Sequence, residues 1–149
     1  MNVEIQAIEF NHQAQQLLAA CHLPTEDLQA PVTSLHLFGC QVDGRLAGLV
    51  GVEMHGPDAL LRSLAVADFA RGKALGDALL VYAEQFAVAH GVQAVYLLTT
   101  TAEGFFAQRG YCLAEREAAP AAIAATQQFS GLCPATAAFM LKRLNEPAG

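Results

Sequence analysis

Residues 59–90, ALLRSLAVADFARGKALGDALLVYAEQFAVAH, hold the transition that decides the fold. Residues 59–66 form an apolar run with one basic interruption, the pattern of a strand. From about Ala74 the period changes. Leu75, Ala78, Leu79, Tyr82 and Phe86 fall on one helical face as far as His90, and Gly91 is placed to cap the helix end. A second apolar strand follows at 92–98 (VQAVYLL), so the two strands flanking the helix form a parallel pair joined by a crossover.

Upstream, 35–42 (LHLFGCQV) and 45–54 (RLAGLVGVEM) flank Asp43-Gly44, the signature of a tight hairpin, and 55–58 (HGPD) is a second turn. The strand at 59–66 thus closes an antiparallel meander. Before it, 3–10 alternates as a half-buried strand and 12–21 carries Leu17, Leu18 and Cys21 on a helix face that Pro24 ends; 24–32 is a loop or short helix. Downstream, 102–108 is a short helix, 111–117 a strand, 118–129 a helix beginning near Pro120, and 135–144 a last strand expected at a sheet edge. The order β-α-β-β-β-α-β-α-β-α-β implies a mixed α/β (α+β) sheet, mostly antiparallel, with helices on both faces. An edge strand near the C-terminus offers a surface for a homodimer.

The chain has 149 residues, enough for one domain spanning 1–149 with a substantial core. It is 54% hydrophobic and 15% charged, which excludes disorder, yet no apolar run reaches the roughly 18 residues of a membrane helix. No basic n-region precedes an apolar block and cleavage site, so a cytoplasmic protein is expected. Cys21, Cys40, Cys112 and Cys133 are widely spaced without C-x-x-C, and His12, His22, His36 and His90 have no metal-ligand spacing; buried reduced thiols and no metal site follow. A net charge of -6 with only eight basic residues disfavours nucleic acid and suits a small-molecule partner.

Two of those eight basic residues lie in residues 71–76, RGKALG. Gly72, Ala74 and Gly76 are small enough for close backbone approach, and the start of a helix presents unpaired N–H groups with about half a positive charge. The stretch is either an anion cradle or a tight strand-to-helix turn with a solvated Arg71 and Lys73. It lacks G-x-x-x-x-G-K-[ST] and the G-x-G-x-x-G spacing, which removes support for nucleotide hydrolysis and nicotinamide binding.

Residues 64–80, LAVADFARGKALGDALL, resemble motif A of the GNAT superfamily of acyl-CoA-dependent N-acetyltransferases, Arg/Gln-x-x-Gly-x-Gly/Ala, here Arg71-x-x-Ala74-x-Gly76 with alanine in place of the first glycine. AEGFFAQRGY (102–111) is similar to the family's Ala-x-x-x-Tyr-x-x-x-Gly-Phe, with Ala102, Phe106, Gly110 and Tyr111 in those places. LLRSLAV, LLTTTAEGFF and FSGLCPAT (129–136) resemble, more narrowly, the arsenic-resistance N-acetyltransferases of that superfamily. The resemblance implies a GNAT-like sheet and acetyl-CoA as acetyl donor. Its pantetheine arm would lie along the backbone of Leu64, Ala65 and Val66, its pyrophosphate on N–H groups of Arg71, Gly72, Lys73, Ala74, Leu75 and Gly76, and Thr99 and Phe106 would line the cofactor channel.

Within that frame a strand N–H, from Leu64 or Ala65, would stabilise the thioester oxyanion. An α-amine near pKa 8 and a thiol near 8.5 need only modest acid and base help. Glu53 is the candidate base, directly or through a water, unless it is a surface carboxylate beside the turn; His55 is an alternative base or simply a turn residue. Arg62 interrupts an apolar strand and is costly to bury unpaired, so it either faces solvent or holds an anion, a substrate carboxylate or Glu53. Strict alternation puts residues 60, 62, 64 and 66 on one face and Ser63 on the other. Phe106 stands where many GNAT enzymes have a proton-donating tyrosine, and a phenyl ring cannot donate. Cys133 is a packed thiol or an acceptor-pocket thiol suited to a metalloid-bearing substrate. The expected activity is acetyl transfer to a small-molecule amine, such as an amino acid or a toxic, arsenic-related analogue. A non-catalytic acyl-CoA- or metalloid-binding module is the alternative, and a protein acetyltransferase with a peptide groove is a third.

Overall fold

The computed structural model describes residues 4–21, 35–70, 74–100, 102–126 and 137–144. Their seven strands form one sheet: β1 (Gln6–Ile8), β2 (Leu35–Val42), β3 (Arg45–His55), β4 (Asp58–Val66), β5 (Ala94–Thr99), β6 (Cys112–Leu113) and β7 (Ala138–Arg143) lie in the order β1-β2-β3-β4-β5-β7-β6. Every adjacent pair is antiparallel except β4 and β5, which are parallel across the helix α2 (Leu75–Ala89). The meander and the crossover therefore stand as the sequence pattern requires. Asp43 and Gly44 both have positive φ, 53° and 77°, the geometry of a two-residue hairpin turn whose twist matches its strands.

Helices cover both faces. On one, α2 and α3 (Glu103–Ala107) pack through Leu75, Leu79, Ala83, Ala87 and Phe106 onto Phe38, Val50, Val52 and Leu61. A Cβ at Gly48 would come within 2.8 Å of Leu79 Cδ1, so glycine there lets α2 sit close against β3. On the other face, α1 (His12–Ala20) buries Ala14, Leu17 and Leu18, and α4 (Ala121–Ala124) buries Ile123 against Leu60, Tyr96 and Phe139. Asn11 caps α1 by accepting the N–H of Ala14 at 2.9 Å. At the far end of α2, Gly91 (φ 85°) follows the cap residue His90, and the N–H groups of Gly91 and Val92 return to Val88 and Ala87, a Schellman closure.

Several sequence expectations are corrected. The first strand is limited to Gln6–Ile8, because only those residues find partners on β2. The strand expected at 111–117 is the two-residue β6, after which the chain turns through a 3-10 turn at Arg116–Ala118. The helix expected at 118–129 is a single turn at Ala121–Ala124; 127–129 lie outside the described residues. The last strand is not at the edge: β7 lies between β5 and β6, so the surface offered for a homodimer is not β7. Of the described cysteines, none in a disulfide, Cys40 is buried, Cys21 half-buried and Cys112 exposed, so uniform burial does not hold. Among the described residues no helix is long and apolar enough to cross a membrane.

Candidate active site

β4 and β5 are paired at only three positions, Asp58, Ala59 and Leu60 against Ala94, Val95 and Tyr96. Beyond Leu60 the two strands separate. A cleft of about 600 Å³ opens between Leu61–Val66 of β4 and Leu97–Thr99 of β5, with Gly76, Phe105 and Phe106 at its α2 and α3 side and Cys21 at its α1 side.

The β4 wall is irregular. Leu49 faces Ala65 and Gly51 faces Arg62, so two steps on β3 match three on β4. This is a β-bulge, and Ser63 within it has φ 59°, a left-handed backbone that is costly for a side chain with a Cβ. The bulge overturns the expected alternation. Ala59, Leu61, Leu64 and Val66 pack toward α2, whereas Leu60 and Ala65 pack on the opposite face. Arg62 and Leu64 thus lie on opposite faces, and Ser63 does not point away from Arg62: its Oγ accepts from Arg62 Nε at 3.3 Å.

Arg62 is buried, and its Nη1 donates to Glu53 Oε1 at 2.8 Å. Glu53 is also buried, which removes the surface-carboxylate alternative, and its Oε2 is 3.2 Å from His55 Nε2. Guanidinium, carboxylate and imidazole form one chain that leads from the cleft floor, where Arg62 lies, to half-buried His55. Gly51 makes room for it: a Cβ there would sit 3.2 Å from Arg62 Cγ and 3.1 Å from Leu37 Cδ2.

At the other end of the cleft, Ala74 is the N-cap of α2 with φ 58° and ψ 22°. The first intrahelical bond runs from Ala78 N to Ala74 O, so the N–H groups of Leu75, Gly76 and Asp77 precede the helical ladder and face outward along its axis. Leu75 turns its side chain into the core, leaving only its backbone for a ligand. A Cβ on Gly76 would be in ordinary contact with Phe105, 3.5 Å from Cζ, so a small residue keeps this corner open. Thr99 ends β5, and its Oγ1 accepts the N–H of Ala102 at 3.0 Å. Phe106 is buried against Tyr111 and Phe105. The Tyr111 hydroxyl does not substitute for the proton donor that Phe106 lacks: it donates to Glu84 at 2.9 Å, and burial pushes its pKa upward.

The structure therefore gathers Arg62, Leu64, Ala65, Val66, Gly76, Thr99 and Phe106 around one cleft and places Glu53 behind Arg62. Arg71, Gly72, Lys73 and Cys133 lie outside the described residues. Among the described residues no group of three side chains suits a metal ion. Sequence patterns missed the bulge at Ser63, and also Asp77, Phe105 and Arg109 beside Gly76. Arg109 is one of only eight basic residues, which is a weak signal; its partner lies 32 residues away, beyond any local pattern.

A mostly antiparallel sheet opened at its one parallel seam, with a helix starting at the mouth, is the architecture of an acyl-CoA-dependent acetyltransferase. The sequence matches the Acetyltransferase (GNAT) family over residues 4–111, and the chain belongs to that family. No curated protein matches it in sequence. Among solved structures, it resembles N-acetylglutamate synthase from Neisseria gonorrhoeae, complexed with coenzyme A and N-acetyl-glutamate, with a TM-score of 0.73 at 18% identity over 98% of this chain. The chain spans only 36% of that synthase. A putative acyl-CoA N-acyltransferase from Klebsiella pneumoniae subsp. pneumoniae MGH 78578 gives a TM-score of 0.75 at 19% identity, covering 96% of this chain and 98% of the other. Rv2747 from Mycobacterium tuberculosis, solved in complex with CoA, gives 0.73 at 17% identity, covering 95% and 99%.

Proposed function

We propose that this acetyltransferase, acting as one domain over residues 1–149, uses acetyl-CoA to acetylate a small-molecule amine, an amino acid or a toxic, arsenic-related analogue. The carrying observation is the separation of β4 from β5 past Leu60 into a cleft floored by buried Arg62, with Glu53 directly behind it. The fit to an extended acyl-CoA arm rests on the β4 edge over Leu64, Ala65 and Val66, the opening kept by Gly76, and the N–H groups of Leu75 and Gly76 toward which an anion is drawn. Arg71, Gly72, Lys73 and Ala74 complete the assignment made by the family pattern.

Acetyl-CoA supplies an activated thioester. The chain's part is to hold it extended along β4, to offer the N–H of Leu64 or Ala65 to the developing oxyanion, and to take a proton from the attacking amine. Glu53, paired with Arg62 and 3.2 Å from His55, fills the last role directly or through a water, and His55 carries the proton outward or acts as base itself. Arg62 holds the carboxylate of an amino-acid acceptor, and Cys133 contacts the acceptor group. With Phe106 in the channel, the thiolate is released to water, which its low pKa permits.

Coenzyme A thiol release with a panel of amines tests this. Turnover lost on Glu53→Gln, with acetyl-CoA binding retained by calorimetry, is expected; no turnover with any amine overturns it. Phe106 also motivates a second reading, a non-catalytic module of the same fold. Tight acetyl-CoA binding without transfer would establish it, and arsenite binding abolished by Cys133→Ser would make it a metalloid sensor.

A further inference from the structure

Asp77 is the acidic residue of the first turn of α2. Its carboxylate shares the helix start with the free-ended N–H groups of Leu75 and Gly76 and opposes any second anion brought there. Arg109, two residues past the end of α3, reaches it from that helix. Arg109 Nε donates to Asp77 Oδ1, Nη2 donates to Oδ2 at 3.0 Å, and Nη1 donates to the Phe105 carbonyl at 2.8 Å. The guanidinium also lies 3.7 Å from the centroid of the Phe105 ring, the same ring that borders Gly76. The hydrogen bond from Arg109 holds the Asp77 carboxyl below the usual carboxylate range, so it is charged wherever the protein is folded near neutrality. Both side chains are partly exposed, and such a pair contributes little to stability. The packing of Arg109 on Phe105, a residue of the cleft wall, is therefore the more informative fact.

We propose that Arg109 is a positioning residue for the diphosphate portion of the acyl donor: by cancelling the charge of Asp77 and backing the Phe105 wall, it sets the preference for acetyl-CoA over a thioester without phosphates. The inference rests on the acetyl-CoA reading above. Its sign is specific. Removing the cation leaves a bare carboxylate at the anion site, whereas removing the carboxylate leaves a bare cation.

Calorimetric titration with acetyl-CoA and with S-acetylpantetheine, which lacks phosphates, tests it on wild type, Asp77→Asn, Arg109→Ala and the double variant. Arg109→Ala should weaken acetyl-CoA about tenfold while changing S-acetylpantetheine less than about twofold, the scale of one uncompensated charge near a surface. Asp77→Asn should tighten acetyl-CoA about threefold at low salt, a gain lost near 1 M salt where screening is nearly complete. The double variant should return close to wild type. Weaker acetyl-CoA binding by Asp77→Asn, or no rescue in the double variant, would show a merely structural tie and overturn the assignment. A wild-type protein that binds neither thioester would instead overturn the acetyl-CoA reading itself.

Discussion

The two halves of β4 differ although they are one strand. Asp58–Leu60 is laddered to β3 on one side and β5 on the other, and Ala59 and Leu60 are buried in regular alternation. Residues 62–66 keep β3 but diverge from β5, carry the bulge and the left-handed Ser63, and bury an arginine. The first half is ordinary core. The second gives up regular pairing, and in doing so exposes a backbone edge and admits a charged group to the sheet interior. Polar chemistry enters this fold where the ladder stops.

The largest test of that contrast is at Arg62. Its side chain is 1% exposed and that of Glu53 8%, so Arg62→Ala strands a buried carboxylate and should cost about 3–5 kcal/mol in denaturant unfolding. Arg62→Met with Glu53→Leu should recover most of that stability, because removing both charges also removes their desolvation. The double variant should remain inactive. Recovered stability accompanied by recovered activity would make the pair structural and separate it from the chemistry.

The same division sets what sequence could reveal. The meander, the crossover and the α2 cap were legible because each depends on neighbours a few residues apart: alternation, Asp43-Gly44, and Gly91. The family pattern likewise pointed to the strand and the helix start. The bulge was not legible, since a strand's face assignments assume a period of two and one extra residue reverses all that follow. Arg62 with Glu53 was one of the pairings left open by the cost of burying a lone guanidinium, whereas Arg109 with Asp77 joins different elements, and no local period encodes such a meeting. The short strands β1 and β6 escaped for a related reason: β1 pairs with only three residues of β2 and β6 with only two of β7, and where such pairing stops is not written in their own alternation.

At the α2 end of the cleft, Gly76 separates fold from binding. Its Cβ position meets Phe105 at ordinary contact distance, so Gly76→Ala should stabilise the helix by about 0.5–1 kcal/mol while leaving the packing intact. Gly76→Leu fills the opening and should weaken acetyl-CoA at least about tenfold, or about 1.4 kcal/mol, with a smaller change in thermal stability. Equal losses in the two measurements would return this corner to a simple helix start.

The smallest effect on binding is expected two residues earlier. Ala74 sits where the family pattern has glycine, and its φ of 58° explains the preference: an alanine Cβ in the left-handed region is strained by about 1–2 kcal/mol, which glycine avoids. Glycine also adds freedom to the unfolded chain, which opposes the gain by about 0.4–1 kcal/mol. Ala74→Gly should therefore raise unfolding stability by about 0–1.6 kcal/mol, the difference of those two terms. Acetyl-CoA affinity should stay within about twofold, because the N–H groups of Leu75 and Gly76 are already held by the helix they begin. A loss of stability would mean that residue 74 leaves the left-handed region in solution, and the comparison with Ser63 would break: strain would then belong to β4 alone, where the bulge is locked between β3 and the buried pair, and not to the mouth of the cleft.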